Sequence, residues 1–473
     1  MTDLHALSAV ELAQLIRSRR LSPVELVRSS LDRAQRLQPL LNCFITICEE
    51  EALAQARHAE QSVMDGRPLG RLHGIPYTVK DIVDTAGVRT TFGTVLHEEH
   101  VPTEDAPSVA RLRAEGAILL GKTTTPEFGS QPFTRSPLFG QTSNAWDLSR
   151  TSGGSSGGAA AATAAAITPL AIATDGGGST RIPAACNGVV GLKQSNGIIP
   201  HSQAQDLFGN QTYVTPTTRT VADTGLMLDV MAGDYELDPW SIGLKRAGYA
   251  EAALHQGDLR GVRIRYSLAP QGRAVSVDIR ERFETTLQLL ADMGAELEPF
   301  VASENFIVEP IWRTINHTVW RARFLALVER HGETFSDTFR RQILTAGEYS
   351  AQDYQEAMFA RTGLFKQVQT WLQTADLLVM PTLTRTALPI DTDLFDPFEM
   401  DGQRHEGIRT HWFPWTMPFN MTGHPAISLP CGFASDGLPV GIQLVSRFGA
   451  DDQLLRYAAL LEQAQGRPPV PPL

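Results

Sequence analysis

The sequence predicts an α/β fold: one large α/β/α sandwich with a central mixed β-sheet covered by helices, plus a helical lobe. Two observations favour the sandwich. Buried-strand patterns alternate with helical patterns from about residue 72 onwards, which is typical of a parallel or mixed sheet with helices on both faces. The chain also contains no internal repeat and no low-complexity linker. We therefore expect one domain spanning residues 1–473.

The N-terminal layer, residues 1–66, is predicted to be helical. Ser8 and Glu11 form a capping box that opens a helix running to about Arg19. A second box begins at Ser22, with a proline at the first helical position. A third helix is expected over residues 49–64.

The core motifs lie in residues 72–200, and residues 375–473 complete the core. A short buried strand over 75–79 ends at Lys80, and the alanine-rich stretch 157–174 is interpreted as a helix packed inside the protein. Further strands are expected at 117–120, 262–266, 377–380, 426–429 and 440–445, with helices at 107–115 and 279–293. Residues 303–374 are helical in pattern and rich in aromatic side chains, which predicts a variable lobe that lies over the site.

Composition excludes several classes of function. The net charge is −11 and no block of basic residues occurs, which argues against a nucleic-acid or anionic-membrane partner. No stretch is apolar enough for a membrane span, and the first residues lack the pattern of a signal peptide. The cysteines show no CxxC spacing and are typical of reduced core residues, so we expect a cytoplasmic protein: Cys43, Cys48, Cys186 and Cys431.

Two short motifs mislead. Residues 116–123 match the letters of a phosphate-binding P-loop, but their inner residues favour a strand where the loop needs exposed backbone N–H groups. His97 and His100 lack the HExxH spacing and an evident third ligand, so we expect no metal site. No cofactor is expected either.

A third motif leaves an alternative open. Residues 153–157 match the G-x-S-x-G nucleophile elbow, and late histidines are available to complete a Ser-His-Asp triad. An elbow requires a buried strand directly before the serine. The residues that precede Ser155 are instead a polar loop, which disfavours this alternative.

Two glycine–serine clusters, residues 151–158 and 175–183, flank the alanine-rich stretch. Glycines beside a nucleophile let the backbone approach a substrate closely and direct several N–H groups to one point. Such a nest can stabilise the oxyanion of acyl transfer. Two clusters of this kind, with a lysine at a strand end upstream, favour a catalytic site over simple turns.

The chain resembles the amidase signature family in these clusters and in further motifs along nearly its whole length. The matching segments are 74–81, 121–128, 153–158, 175–183, 188–193, 420–430 and 437–443. The likeness is weakest over residues 240–375. One departure is Gly176, where relatives commonly have a larger residue, and another is Thr180, which replaces an aliphatic one.

The resemblance implies a Ser–cis-Ser–Lys triad. Ser179 is then the acyl nucleophile, Ser155 relays its proton and protonates the leaving amine, and Lys80 is the terminal base. It also implies a cis peptide before Ser155, and an oxyanion hole from the backbone N–H groups of Gly176, Gly177, Gly178 and Ser179. Asp175 and Arg181 are expected to brace this loop, and Lys122 to be structural.

The residue types suit that chemistry. A serine hydroxyl is a weak nucleophile and needs an adjacent base. Lysine acts as a base only when neutral, and its reference pKa is about 10.4. Burial must therefore lower the pKa of Lys80.

The resemblance implies hydrolysis of a carbon–nitrogen acyl bond, and the substrate is expected to be a neutral, moderately hydrophobic small-molecule amide or carbamate, as for an amidase or urethanase. The predicted pocket comprises Gly129, Ser130, Gly154, Thr174, Trp412 and Trp415. We expect a monomer or homodimer. The alternative is the glutaminase subunit of a tRNA-dependent amidotransferase, which residues 312–359 and 411–419 do not resemble. The aromatic run over residues 412–419 is typical of an apolar pocket and, equally, of ordinary core packing.

Overall fold

A mixed sheet of eleven strands forms the centre of the fold. The computed structural model describes residues 4–244, 248–302, 306 and 308–473. The described residues form fifteen strands, of which eleven make up this sheet: β1 (Phe44–Ile47), β2 (Pro76–Lys80), β3 (Ile118–Thr123), β4 (Arg135–Ser136), β5 (Gly140–Gln141), β6 (Leu170–Asp175), β7 (Val190–Lys193), β8 (Tyr213–Thr218), β9 (Arg263–Tyr266), β10 (Glu296–Pro299), β11 (Leu377–Pro381), β12 (Phe398–Met400), β13 (Gln403–His405), β14 (Ala426–Phe433) and β15 (Pro439–Val445).

The sheet order is β1-β3-β2-β6-β8-β7-β14-β15-β11-β9-β10. Strand β2 runs parallel to β3 and β6, and β9 runs parallel to β10 and β11. The remaining neighbours are antiparallel, and the pairs β4–β5 and β12–β13 form separate ribbons. The predicted mixed α/β sheet is confirmed.

Helices cover both faces of this sheet. They are α1 (Ala9–Arg17), α2 (Pro23–Leu41), α3 (Glu49–Met64), α4 (Pro107–Ala114), α5 (Gly157–Ala164), α6 (Arg181–Asn187), α7 (Val221–Met231), α8 (Tyr249–Ala252), α9 (Val277–Asp292), α10 (Glu309–His331), α11 (Asp337–Thr345), α12 (Ala351–Gln373), α13 (Ile408–His411), α14 (Met417–Thr422) and α15 (Asp451–Gln465). One apolar cluster joins α1, α4, α7, α9 and α15 to the sheet, and two others join α2, α3 and α5, and α10, α12 and α14.

The predicted caps start the first two helices. The Ser8 side chain accepts from the backbone N–H of Glu11, and the Glu11 carboxylate accepts in return from the Ser8 backbone N–H. Ser22 accepts from the second and third residues of α2. These bonds satisfy N–H groups that have no partner within the helix.

The single helix expected over residues 157–174 is wrong. Helix α5 ends at Ala164, and residues 170–175 form β6, a fully buried strand in the middle of the sheet. The chain turns between them through Ala166, which has a φ of 52°. Pro169 precedes the strand and cannot continue a helix. The two glycine–serine clusters therefore flank a helix–strand unit.

Helices α10, α11 and α12 form most of the expected lobe. Its residues 303–305 and 307 lie outside the described residues. Phe324 and Phe339 pack in a small apolar cluster of the lobe, while Phe359 faces outward with 67% of its surface exposed. Among the described residues, no helix combines the length and apolar character needed to cross a membrane.

The P-loop look-alike over residues 116–123 is mostly strand β3. Lys122 is fully buried, and its ammonium donates to the Val83 carbonyl and to the hydroxyls of Thr85 and Thr90. It also forms an ion pair with Asp81. Lys122 is a structural residue, as expected.

A buried ion pair braces the segment after β6. Arg181 forms two hydrogen bonds of 3.0 Å with the Asp175 carboxylate. It also donates to the Thr416 carbonyl and to the Gln443 and Asn420 side chains. Burial raises the pKa of Asp175, but the Arg181 charge and the hydrogen bonds outweigh it and bring the pKa to about 2. The pair therefore stabilises the fold at neutral pH, and this stabilisation is lost as the pH falls toward 2.

Replacing Arg181 with methionine is expected to destabilise the protein by about 3–5 kcal/mol, because it leaves a buried carboxylate without its counter-charge. Thermal denaturation followed by circular dichroism measures the effect. Arg265→Met is the control, since its partner Glu298 is 60% exposed and such pairs contribute roughly 1 kcal/mol or less. The account of the brace fails if both variants denature at the same temperature.

Candidate active site

Two parallel strands bring the predicted catalytic residues together. Val79 on β2 pairs with Ile172 on β6, so both strands end at the same edge of the sheet. Lys80 is the last residue of β2, and the nucleophile loop begins directly after β6 at Gly176. Ligands of α/β proteins bind at this edge, outside the carboxyl ends of the strands.

The Lys80 amine contacts three hydroxyls. Its Nζ lies 2.7 Å from Ser155 Oγ, 2.8 Å from Ser156 Oγ and 2.9 Å from Thr174 Oγ1. Lys80 is fully buried, and no carboxylate among the described residues forms an ion pair with it. Burial lowers the pKa of Lys80 well below its usual value, and the more distant Asp175 only partly opposes this. Burial therefore favours the neutral form of the amine.

The hydrogen bonds around the neutral Lys80 amine leave its lone pair able to accept a proton. The Ser156 hydroxyl donates to the Thr174 carbonyl, at 3.1 Å, so it accepts from Lys80. A neutral amine has two N–H groups and one lone pair. One N–H and the lone pair thus remain for Ser155 and Thr174, and the lone pair can receive the Ser155 hydroxyl proton.

Ser155 lies at the tip of the loop before α5. The peptide between Gly154 and Ser155 is cis, which confirms the configuration that the family resemblance implies. Glycine is required at 154, because a Cβ there would lie 2.7 Å from the Phe133 backbone nitrogen. Ser155 is 1% exposed and lines the cavity described below, whereas Ser156 is fully buried.

Ser179 lies in the second cluster and also lines the cavity. It is half-buried, and its backbone carbonyl accepts from the Ser156 N–H at 3.1 Å. This bond ties the two glycine–serine loops together. The structure thus places both serines at one cavity, with the lysine amine behind Ser155.

The glycine loop before Ser179 is fixed by side chains from distant segments. The Trp312 indole N–H donates to the Gly176 carbonyl at 2.8 Å, and the Thr416 hydroxyl donates to the Gly177 carbonyl at 2.7 Å. In a trans peptide the N–H points opposite to the carbonyl. Trp312 thereby orients the Gly177 N–H, and Thr416 orients the Gly178 N–H.

The predicted oxyanion hole needs one correction. The Gly178 N–H already donates to the Asp175 carboxylate at 2.7 Å. It is therefore part of the brace and not free for a ligand. The N–H groups of Gly176, Gly177 and Ser179 have no acceptor among the described residues, so they remain the candidates.

A cavity of about 190 Å³ opens beside these groups. Gly129, Ser130 and Thr174 line it, as expected. Gly129 approaches Ser155 closely, since a Cβ on it would lie 3.1 Å from Ser155 Oγ. Gly154 does not line the cavity, because it packs on the backbone of Phe133.

Two predicted pocket residues lie elsewhere. Trp412 and Trp415 are at most 1% exposed and belong to an apolar core cluster, where Trp412 stacks on Phe133 with ring centroids 5.7 Å apart. Neither lines the cavity. Their large apolar rings are satisfied by core packing. The aromatic wall comes instead from Phe413, which belongs to the same aromatic run, and from side chains that were not assigned to the pocket: Phe92, Phe128, Trp312 and Trp320.

The late histidines do not complete a triad. His424 is buried and its Nδ1 contacts the Thr422 hydroxyl, while His411 Nε2 contacts Arg273. His405 packs against Phe398. None of the three lines the cavity. The lysine is thus the candidate base for Ser155, and the nucleophile-elbow alternative does not fit the geometry.

Comparisons with known proteins identify the family of the chain. The family model named Amidase matches residues 25–455. An acylamidase of Rhodococcus erythropolis is 36% identical over 97% of this chain and 96% of its own length. One of the subunits of the glutamyl-tRNA(Gln) amidotransferase of Acidothermus cellulolyticus is 33% identical over 98% of this chain and 95% of its own.

Solved structures share the fold of this chain over nearly its whole length. A bacterial aryl acylamidase of the amidase signature enzymes superposes with a TM-score of 0.89 at 28% identity, covering 98% of this chain and 100% of that one. The 6-aminohexanoate cyclic dimer hydrolase superposes at 0.86 with 30% identity, covering 99% and 100%. The family match across most of the sequence and the shared fold lead to one conclusion: the chain belongs to the amidase signature family, whose members are hydrolases of carbon–nitrogen bonds.

Proposed function

We propose that the chain is a serine amidohydrolase that forms an acyl-enzyme on Ser179 and releases an amine or ammonia. The observation that carries this proposal is the fully buried Lys80 amine 2.7 Å from Ser155 Oγ, whose pKa burial lowers. A base of this kind can take up a proton from a serine relay at neutral pH.

The reaction follows from the arrangement of groups. Ser179 Oγ attacks the amide carbonyl carbon while its proton passes to Ser155, whose own proton passes to Lys80. The N–H groups of Gly176, Gly177 and Ser179 stabilise the oxyanion. The carbon–nitrogen bond then breaks, the leaving nitrogen takes a proton from Ser155, and Lys80 returns one to Ser155. Water then attacks the carbonyl carbon of the acyl ester, and its proton passes through Ser155 to Lys80. The ester bond breaks, Ser179 Oγ takes a proton back from Ser155, Lys80 returns one to Ser155, and the acid is released.

The substrate that we propose is a moderately hydrophobic amide or carbamate. Aromatic and aliphatic side chains form much of the cavity wall, among them Phe128, Ile315 and Trp320. The similarity to an acylamidase supports amide substrates. The amidotransferase relatives keep a second candidate open, a glutaminase that acts within a complex.

A panel of 4-nitroanilides, aliphatic amides and aryl carbamates tests the proposed class. Hydrolysis by the purified chain alone is the expected result. Activity on glutamine only, and only with added amidotransferase partner subunits, would instead support the second candidate.

Ser179→Ala is expected to lower kcat/KM by at least about 10³-fold, because the nucleophile is lost. It should also abolish covalent labelling by a fluorophosphonate, followed by intact-protein mass spectrometry. Ser435→Ala, at an exposed serine away from the cavity, is the control and should label normally. Unchanged labelling of Ser179→Ala would rule out this serine as nucleophile.

The rate should rise with pH through the pKa of Lys80, because only the deprotonated amine accepts a proton. Since burial lowers this pKa, kcat/KM should reach its plateau well below pH 10.5. Initial rates on a neutral anilide across the pH range measure the profile. A rate that does not change from acid to alkaline pH contradicts Lys80 as the base.

Trp312→Phe is expected to lower kcat roughly tenfold with a smaller change in KM. The substitution removes the hydrogen bond that orients the Gly177 N–H, and oxyanion donors act mainly in the transition state. Trp320→Phe is the matched control, since Trp320 also lines the cavity but its indole N–H bonds no described group. Equal kcat values for the two variants would contradict the role of Trp312.

A further inference from the structure

A buried guanidinium lines the cavity without a counter-ion. Arg409, on α13, is 9% exposed and its side chain forms part of the cavity wall. One of its nitrogens donates to the neutral Gln342 side chain, and the guanidinium lies 5.2 Å from the centre of the Trp312 ring. No carboxylate among the described residues forms an ion pair with it.

The carboxylate whose charge Arg409 feels most is already engaged. Burial lowers the pKa of Arg409 to about 10, and Glu309 partly opposes this shift. Glu309, however, is paired with Arg313 at 3.6 Å. An isolated buried charge is costly, and proteins place one where a partner compensates it. The cavity side of Arg409 is where such a partner can bind.

A second arginine faces the same cavity. Arg323, on α10, lines it at its exposed rim and lies over the Phe324 ring at 4.8 Å. It too has no ion-pair partner among the described residues. Asp206 is the one carboxylate among the described cavity-lining residues, and it accepts from the Gly209 N–H.

The histidines nearby do not change this balance. Burial and then the charge of Arg323 lower the pKa of His201 to about 4. Burial and then Arg409 lower the pKa of His317 to about 3. Both rings are therefore neutral near pH 7, and two guanidiniums face one carboxylate. The cavity carries a positive potential.

This potential lies close to the reacting groups. Arg409 packs on the Trp312 ring, and the indole N–H of that residue bonds the Gly176 carbonyl in the loop before Ser179. The Trp312 indole ring thus lies between the group bound by Arg409 and the glycine loop before Ser179. A substrate that fills the cavity reaches both Arg409 and that loop.

We propose that the substrate carries an ionised carboxylate remote from its scissile bond, bound by Arg409 inside the cavity and attracted by Arg323 at the rim. Guanidinium and carboxylate groups match in charge and in planar geometry. This inference rests on the proposed amidohydrolase function. It replaces the neutral substrate expected from the sequence with one that is anionic at a distance from its reacting amide.

Two pairs of anilides test the proposal on either side of the scissile bond. In the first pair, N-glutaryl-4-nitroanilide is compared with its methyl ester. In the second, 4-acetamidobenzoate is compared with 4-acetamidoacetophenone, whose neutral ketone adds no second amide. In at least one pair, we expect kcat/KM of the anionic member to be at least about tenfold higher than that of the neutral member. Tenfold corresponds to about 1.4 kcal/mol, the order of one buried charge-assisted hydrogen bond.

The preference should depend on the guanidinium. Arg409→Met is expected to lower the anionic-to-neutral ratio of kcat/KM by about tenfold or more, and Arg323→Met to lower it by less, since Arg323 lies at the rim. Arg409→Lys keeps the charge and should keep part of the preference, which also covers the case in which the methionine variant misfolds. Arg330→Met is the control on α10, away from the cavity.

The possible failures are distinct. Neutral members that react as well as anionic ones in both pairs, in a reaction that requires Ser179, overturn the carboxylate inference and leave the amidohydrolase proposal intact. An unchanged ratio in Arg409→Met also overturns the inference. Absence of any Ser179-dependent hydrolysis across the full anilide, amide and carbamate panel overturns the proposed function itself.

Discussion

A lysine amine buried among three hydroxyls is the constraint on which the rest of the site depends. A lysine in water is protonated at neutral pH and cannot serve as a base. Here Lys80 sits at the end of a central strand, fully buried, with hydroxyl partners and no ion pair among the described residues. Hydroxyls satisfy the hydrogen bonds of the amine without stabilising its charged form as a carboxylate would.

One carboxylate, that of Asp175, lies near the Lys80 amine but does not pair with it. Asp175 directly follows Thr174, a partner of Lys80, yet its charge is committed to Arg181 and to the glycine loop. The brace thus serves two purposes: it orders the loop that carries Ser179, and it offsets the one negative charge that would raise the pKa of Lys80. Trp312 and Thr416, from segments far along the chain, complete the order of this loop.

Much of the fold and of the candidate site was predictable from the sequence. The elements that were missed or predicted wrongly have identifiable physical causes. Capping residues and buried apolar runs indicated the N-terminal helices and several strands, and the glycine–serine clusters indicated the residues that converge. Strand β8 escaped detection because Pro216 lies in its middle, with strands on both sides, where a proline is unexpected. The helix–strand break near Pro169 was missed because alanines continue at 171 and 173, and alanine favours a helix over a strand.

The pocket was the least predictable part. Aromatic residues at 412 and 415 lie close in sequence to family motifs, but local sequence does not reveal that both rings face the core. Trp312 was expected only as one of the aromatic residues of the lobe. Arg409 reaches the site from α13 through tertiary packing, and no local pattern marks it. The involvement of Gly178 in the brace likewise depends on where the Asp175 side chain turns.

The charge state of Lys80 is the most direct test of this account. The chain has only five lysines, so uniform ¹³C labelling of lysine at Cε gives a small set of NMR signals. The Lys80 signal is identified by its loss in Lys80→Met, and its shift is followed as a function of pH. We expect this signal to change to that of a neutral amine well below pH 10.5, the ordinary pKa value for lysine. A Lys80 signal that remains that of an ammonium group up to about pH 10, as for an ordinary lysine, would contradict it.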